Sequence, residues 1–226
     1  MSSERAPSSG PTWPRTTRIY LIRHAESVAN EGSYFAGQSD APLSERGRQQ
    51  AEALAKAFAR VPLDALYASD LSRAVDTAEA IKRGRKLTLA IEPWLRERDM
   101  GVLTGSSFDK VRERHPEFWQ KLLTRDPHAA PIDGESHAEL AARVNRTLEA
   151  ILPRHRGLAL GLVAHGGTIA HAARLLLGVE DFAVSFWVAA DNASVTRIDQ
   201  VEPIEGVSLP RLAYANRVAS CEGDAF

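Results

Sequence analysis

A chain of 226 residues with 44% hydrophobic and 25% charged side chains can bury one substantial core and is short for two. Its 28 basic and 29 acidic residues leave a formal net charge of -1, so no global field recruits nucleic acid or an anionic membrane, and any anion must be held by a local cluster. One cysteine, Cys221, excludes an internal disulfide framework and a cysteine-based metal site, and no apolar run approaches the roughly 20 residues that cross a bilayer.

The first 17 residues are rich in Ser, Pro and Thr, lack an apolar stretch, and are expected to form a disordered arm rather than a signal segment. RIYLIR (18–23) is a β-branched, apolar run of the kind buried on both faces of a parallel sheet. Ser44 is the expected N-cap of a helix spaced by Ala51, Leu54, Ala55 and Phe58. LDALYAS (63–69) predicts a second strand, Asp70 is expected to open a helix through Ile81, and KLTLAIEP (86–93) predicts a third strand ended by Pro93.

Between about 101 and 135 the pattern loosens into one helical piece, VRERHPEFWQKLL, and a proline-rich connection, which predicts a cap over one face of the sheet. A helix over 136–152, the strand LALGLVAH (158–165) and a helix through Leu177 follow. FAVSFWV and ASVTRID are expected to finish the sheet at an antiparallel edge, and the chain is expected to fray after about Tyr214 into a flexible tail over 215–226. With no repeat or long linker, this is one domain over 18–214. The predicted fold is α/β, a three-layer α/β/α sandwich with a mostly parallel central sheet and a helical cap insertion.

In such sheets ligands bind beyond the carboxyl ends of the strands. The first strand ends at Arg23-His24, the second leads to Arg73, the third to Glu97-Arg98, and the fourth to His165-Gly166-Gly167. Taken singly, each has an ordinary explanation: a turn histidine, a solvated helix arginine, a surface charge, a tight glycine turn. Together they bring cations, imidazoles and one carboxylate to one edge. Arginine offers planar donors matched to phosphate oxygens, and helix N-termini after Asp70 and Gly166-Gly167 add N–H groups. A neutral imidazole among cations can attack phosphorus, and Glu97 is the natural proton donor to a departing alkoxide. The combination points to phosphoryl transfer without a metal or other cofactor.

R-H-A-E-S-x-x-N, S-D-L-x-R-A-x-x-T-A and the late A-H-G-G resemble the histidine phosphatase superfamily, also called the phosphoglycerate mutase-like family, from about Arg18 to Thr196. Ala25 stands where the family has glycine. The resemblance implies a phosphorylated nucleophile at His24, a proton donor at Glu97, and phosphoryl-oxygen ligands at Arg23, Arg73 and His165 with the adjoining Gly166. It also implies a phosphate or substrate contact at Asn30, and pocket-lining backbone around Gly37, Gln38 and Ser39.

LRERDMGVLTG is similar to the E-R-x-Y-G-x-L-x-G segment of the bisphosphoglycerate-dependent mutases, which makes such a mutase the rival reading. Glu97 and Arg98 match, but Met100 replaces the tyrosine, Phe108 falls on the lysine, a single Arg125 precedes the proline-rich loop, and Gly167 replaces asparagine. A mutase needs extra cations and a closed site. The more apolar cap here favours hydrolysis of a small phosphorylated metabolite, with a non-catalytic phosphate-binding protein as the third possibility. The simplest expectation for Phe118 and Trp119 is packing of the cap helix. Gln38, Ser39, Arg98, Phe108, Arg125, Glu135 and Ser136 are candidate selectivity positions. The partner is a small-molecule phosphomonoester, with no nucleic acid and no membrane; a homodimer through the edge strand near 183–198 stays open. A cytoplasmic location fits the cysteine usage.

Overall fold

The computed structural model describes residues 13–179, 181–182 and 187–219. A mixed six-stranded sheet runs in the order β3-β2-β4-β1-β5-β6. β1 (Arg15–Arg23), β2 (Ala65–Ala68), β3 (Leu89–Ile91) and β4 (Ala159–Ala164) are mutually parallel. β5 (Ser194–Ile204) lies antiparallel to β1, and β6 (Val207–Val218) antiparallel to β5.

The alternation of side chains along β1 shows why the sandwich has three layers. Tyr20 and Ile22 join a core with Leu54 and Phe58 of α2 (Glu45–Phe58) and with Ala74, Ala78 and Ile81 of α3 (Ser72–Lys82). Ile19 and Leu21 point the other way. They join Leu140, Val144 and Leu148 of α6 (His137–Ile151) and Ile169, Ala172 and Leu176 of α7 (Gly166–Leu176). A short α1 (Val28–Glu31) follows β1, capped by Ser27 in a reciprocal box with Asn30. The expected cap on α2 is present, with Ser44 Oγ accepting from the Gly47 amide at 3.0 Å.

Several boundaries differ from the sequence reading. β1 begins at Arg15, because residues 15–17 pair with Glu202, Val201 and Gln200 of β5; the polar composition hid an edge-ward ladder. Residues 1–12 of the expected arm lie outside the described residues. The expected tail is a strand as far as Val218, and residues 220–226 lie outside the described set. In FAVSFWV, residues 183–186 lie outside it as well, while Trp187 and Val188 are not in a strand. β6 instead forms the antiparallel edge.

Leu71, not Asp70, is the N-cap residue of α3; Asp70 turns away to a bidentate pair with Arg96. The third strand is only three residues long. The single helix expected in the cap is two, α4 (Phe108–Arg114) and α5 (Pro116–Thr124). Pro116 cannot donate to the preceding turn, so it ends one helix and begins the next. Met100, Leu103 and Val111 form a small cluster beneath the cap, joined by Phe35, Phe118 and Trp119. Among the described residues no helix is long and apolar enough to cross a membrane.

Candidate active site

The parallel register brings the chemistry to one edge. Arg23 lies opposite Ala164, and the His24 amide donates to the Ala164 carbonyl at 2.9 Å, so His24 and His165 leave adjacent strands side by side. Their ring centroids are 5.0 Å apart. A cavity of about 470 Å³ opens here, lined by Arg23, His24, Asn30, Gly37, Arg73, Glu97, Arg98 and His165 on its polar floor.

His24 is buried, and its Nδ1 lies 2.7 Å from the Ala25 carbonyl. A carbonyl only accepts, so Nδ1 carries the proton, and Nε2, with its lone pair, is the ring nitrogen free among the described residues. Burial, then the charges of Arg23 and Arg73, push the His24 pKa well below the ordinary imidazole value. The ring is therefore neutral at neutral pH, the state a nucleophile needs.

Arg73 is fully buried and held at three points. Its Nε donates to His165 Nδ1 at 3.3 Å, its Nη1 to the Ser39 carbonyl at 2.8 Å, and its Nη2 to the Gly37 carbonyl at 3.0 Å. Gly37 adopts a positive φ of 50°, and a Cβ there would stand 3.1 Å from Met100. His165 Nδ1 thus accepts, which leaves Nε2–H to donate to Ser69 Oγ at 2.9 Å. Both ring nitrogens of His165 are engaged, and burial is the first cause of its depressed pKa. In this state His165 orients Arg73 rather than presenting a free donor.

Arg23 donates from Nη1 to the Ala190 carbonyl at 2.6 Å, while its Nε is buried without a partner among the described residues. Arg98 is likewise buried, with Nη1 unpartnered and Nη2 3.5 Å from Met100 Sδ. Buried unpaired donors are costly, so two such cations beside a cavity form a site prepared for an anion. Desolvation lowers the pKa of both guanidinium groups, partly offset by Glu97, yet arginine remains charged.

Glu97 sits on the loop after β3, where Oε1 accepts from the Arg98 amide at 2.8 Å and Oε2 from the Gly167 amide at 3.0 Å. One first-turn amide of α7, Gly167 N–H, is therefore taken by Glu97. The first amide of α3, Ser72 N–H, goes to Asp40 Oδ1 at 2.7 Å. Each helix N-terminus expected to greet phosphate thus gives one amide to a carboxylate.

Five expected site or selectivity residues are absent from the cavity lining: Gln38, Ser39, Glu135, Ser136 and Gly166. Gln38 donates to the Glu97 carbonyl at 3.2 Å, so it supports the loop rather than lining the pocket. Gly166 packs near the Arg23 guanidinium, and it is Gly167 that lines the cavity. Asn30 does line it, with Oδ1 occupied by Ser27 and by Asn192 Nδ2 at 3.1 Å. Asn192 and Ser69 are residues the sequence reading missed. Asn192 bridges Asn30 and the His24 carbonyl, at 3.3 Å, from a loop that carries no recognisable motif. Ser69 stood at the end of a predicted strand and at the head of the S-D-L-x-R-A-x-x-T-A motif, but was given no role.

The outer wall is apolar: Phe35, Phe108, Trp119, Leu122, Leu123 and Trp187. Arg125 lies 4.0 Å above the Trp187 ring and His137 completes the rim. Of the two cap aromatics, Phe118 packs in the cap cluster alone, whereas Trp119 both packs and faces the cavity.

A neutral imidazole with one free nitrogen, a carboxylate and several buried guanidinium groups at the carboxyl edge of a parallel sheet define an enzyme site for an anionic substrate. The chain belongs to the histidine phosphatase superfamily (branch 1), whose model matches residues 19–203. It is 34% identical over 186 residues to a probable phosphoglycerate mutase GpmB of Enterobacter sp. (strain 638), covering 82% of this chain and 86% of that protein. Similar structures include the alpha-ribazole phosphatase from Shigella flexneri, at 26% identity and a TM-score of 0.76 over 89% of this chain and 97% of that one. Mycobacterial glucosyl-3-phosphoglycerate phosphatase is 30% identical, with a TM-score of 0.75 over 88% and 98%. The chain is an enzyme of the histidine phosphatase type.

Proposed function

We propose that the protein hydrolyses a small phosphomonoester through a phosphohistidine, without a metal. The observation that carries this is the His24 tautomer, in which Nδ1–H is tied to the Ala25 carbonyl and the Nε2 lone pair stays free. Nε2 attacks phosphorus, the N–P bond forms, and the ester P–O bond breaks as Glu97 delivers a proton to the departing oxygen. Arg23 and Arg73 neutralise charge on the equatorial oxygens. Water then gives a proton to the Glu97 carboxylate and attacks phosphorus, the N–P bond breaks, and phosphate leaves. Asn30 flanks the phosphoryl group, and Arg98 faces the leaving group.

Hydrolysis is supported over transfer by the apolar outer wall, where Phe108 and Met100 replace polar positions of the mutase pattern. The rival reading, a bisphosphoglycerate-dependent phosphoglycerate mutase, draws on the names of the sequence relatives. Incubation with phosphorus-labelled para-nitrophenyl phosphate in excess chelator, followed by an alkaline quench that preserves the acid-labile N–P bond, tests the proposal. Turnover lost in His24→Ala, with label on His24, is the expected result. No hydrolysis, together with bisphosphoglycerate-dependent interconversion of phosphoglycerates, supports the mutase. Label on another residue overturns the scheme.

A further inference from the structure

The loop carrying Glu97 has no regular structure of its own beyond one short turn, Pro93–Leu95, yet its carboxylate must meet a leaving oxygen with sub-ångström tolerance. Its backbone is held from α6. Arg143, two turns after the Ser136 cap, is nearly completely buried, and its guanidinium reaches three carbonyls of this loop. Nη1 donates to Trp94 O at 2.7 Å and to Arg96 O at 2.9 Å, and Nη2 donates to Glu97 O at 3.2 Å. On its other side the same group pairs bidentately with Glu135, through Nε at 2.9 Å and Nη2 at 2.7 Å.

We propose that Arg143, held by Glu135, is a positioning residue that sets Glu97 in its proton-donating geometry. A planar five-donor fork can serve several carbonyls and a carboxylate at once; no other side chain can. Glu135 balances the buried charge, which would otherwise oppose the neighbouring cations. Other contacts of the loop include Thr168 Oγ1 donating to Arg96 O at 2.8 Å, Gln38 Nε2 donating to Glu97 O, the bidentate Arg96–Asp70 pair, and the Gly167 amide on Glu97 Oε2. Glu135 itself is tied to the far end of the loop, its amide donating to Asp99 O at 2.9 Å. The Glu135–Arg143 unit therefore spans residues 94–99 and fixes the peptide from which the Glu97 side chain departs.

This inference rests on the reading of Glu97 as the general acid, and the test separates the two. An activated ester such as para-nitrophenyl phosphate needs little help in leaving, whereas an alkyl phosphate depends on protonation. Arg143→Met, whose apolar stem keeps the packing, should cut turnover of an alkyl phosphate about tenfold or more beyond its effect on the nitrophenyl ester. Arg143→Lys should recover part of the difference. Glu135→Gln, on a part-exposed residue, should show the same selectivity more weakly, and it carries the test if Arg143→Met does not fold. Glu97→Gln is measured in parallel. Selective loss in Glu97→Gln with equal loss on both esters in the Arg143 and Glu135 variants overturns the role of Arg143 alone. Equal loss on both esters in Glu97→Gln overturns the acid assignment and this inference with it.

Discussion

The Gly167 amide donates to Glu97 Oε2 at 3.0 Å, and a Cβ on residue 167 would stand 2.5 Å from Glu97 Oε1. The absence of a side chain at 167 is thus what lets the carboxylate rest on the start of α7. Gly167→Ala should push the Glu97 carboxylate aside while leaving the helix intact, since alanine is the better helix former. The expected outcome is a loss of roughly tenfold to a hundredfold in kcat on alkyl phosphates, with a smaller loss on para-nitrophenyl phosphate and an unchanged Tm. Equal activity on both esters, at the level of the parent, would show that Glu97 does not need this seat.

Arg73 is oriented by three separate acceptors on two loops, His165 Nδ1 and the carbonyls of Gly37 and Ser39. A lysine keeps the charge but cannot meet three acceptors in a plane. Arg73→Lys should lower kcat/KM on a phosphomonoester by at least about a hundredfold, the range lost when one oxyanion donor is removed. Steady-state kinetics with inorganic phosphate as a competing ligand checks it, because phosphate inhibition should weaken in parallel.

His24, His165, His137 and His171 all carry pKa values depressed by burial, to about 3 for His137 and about 4 for His171. His137 and His171 share a 3.1 Å ring contact near the cationic side chains of Arg98 and Arg125. The unfolded chain takes up these protons near the ordinary value of 6.5 and the folded chain does not, so stability is full above about pH 6.5 and falls as the pH drops below it. Each such histidine contributes a slope of about 1.4 kcal/mol per pH unit until its folded pKa is reached. Urea unfolding between pH 7.5 and 5 (roughly the span where these groups diverge) should show the fall, and His137→Gln with His171→Gln should roughly halve it, leaving the share of His24 and His165.

Asn192 bonds both the His24 carbonyl and Asn30 Oδ1. Asn192→Ala should leave folding intact but free the Asn30 amide to turn, raising KM for the phosphoryl group more than it lowers kcat. A tenfold fall in kcat (about 1.4 kcal/mol) at constant KM would instead place Asn192 in the chemical step.

Much of this was legible from residue order. β1 and β4 read as apolar runs because both faces are covered, and Ser44 marked its helix start because a cap needs a particular oxygen. β6 did not, since nearly all its residues are exposed at a sheet edge and Pro210 interrupts the pattern, so burial wrote no period into it. Arg143 carried no sequence signal, and Glu135 read as a selectivity position; the role of each is decided by its partner.

By itself the sequence determined the order of β1 to β4 and of the helices packed on them, and hence that Arg23, His24, Arg73, Glu97 and His165 follow strand ends at one edge. These depend on local periodicity, which neighbouring residues carry. Only the tertiary structure decided that the α7 amide serves Glu97, that His165 faces Arg73 and Ser69, that Gln38 supports a loop, and that Arg143 holds three carbonyls. A hydrogen bond between residues far apart in the chain is set by packing distances of a few tenths of an ångström, and no spacing along a sequence encodes those.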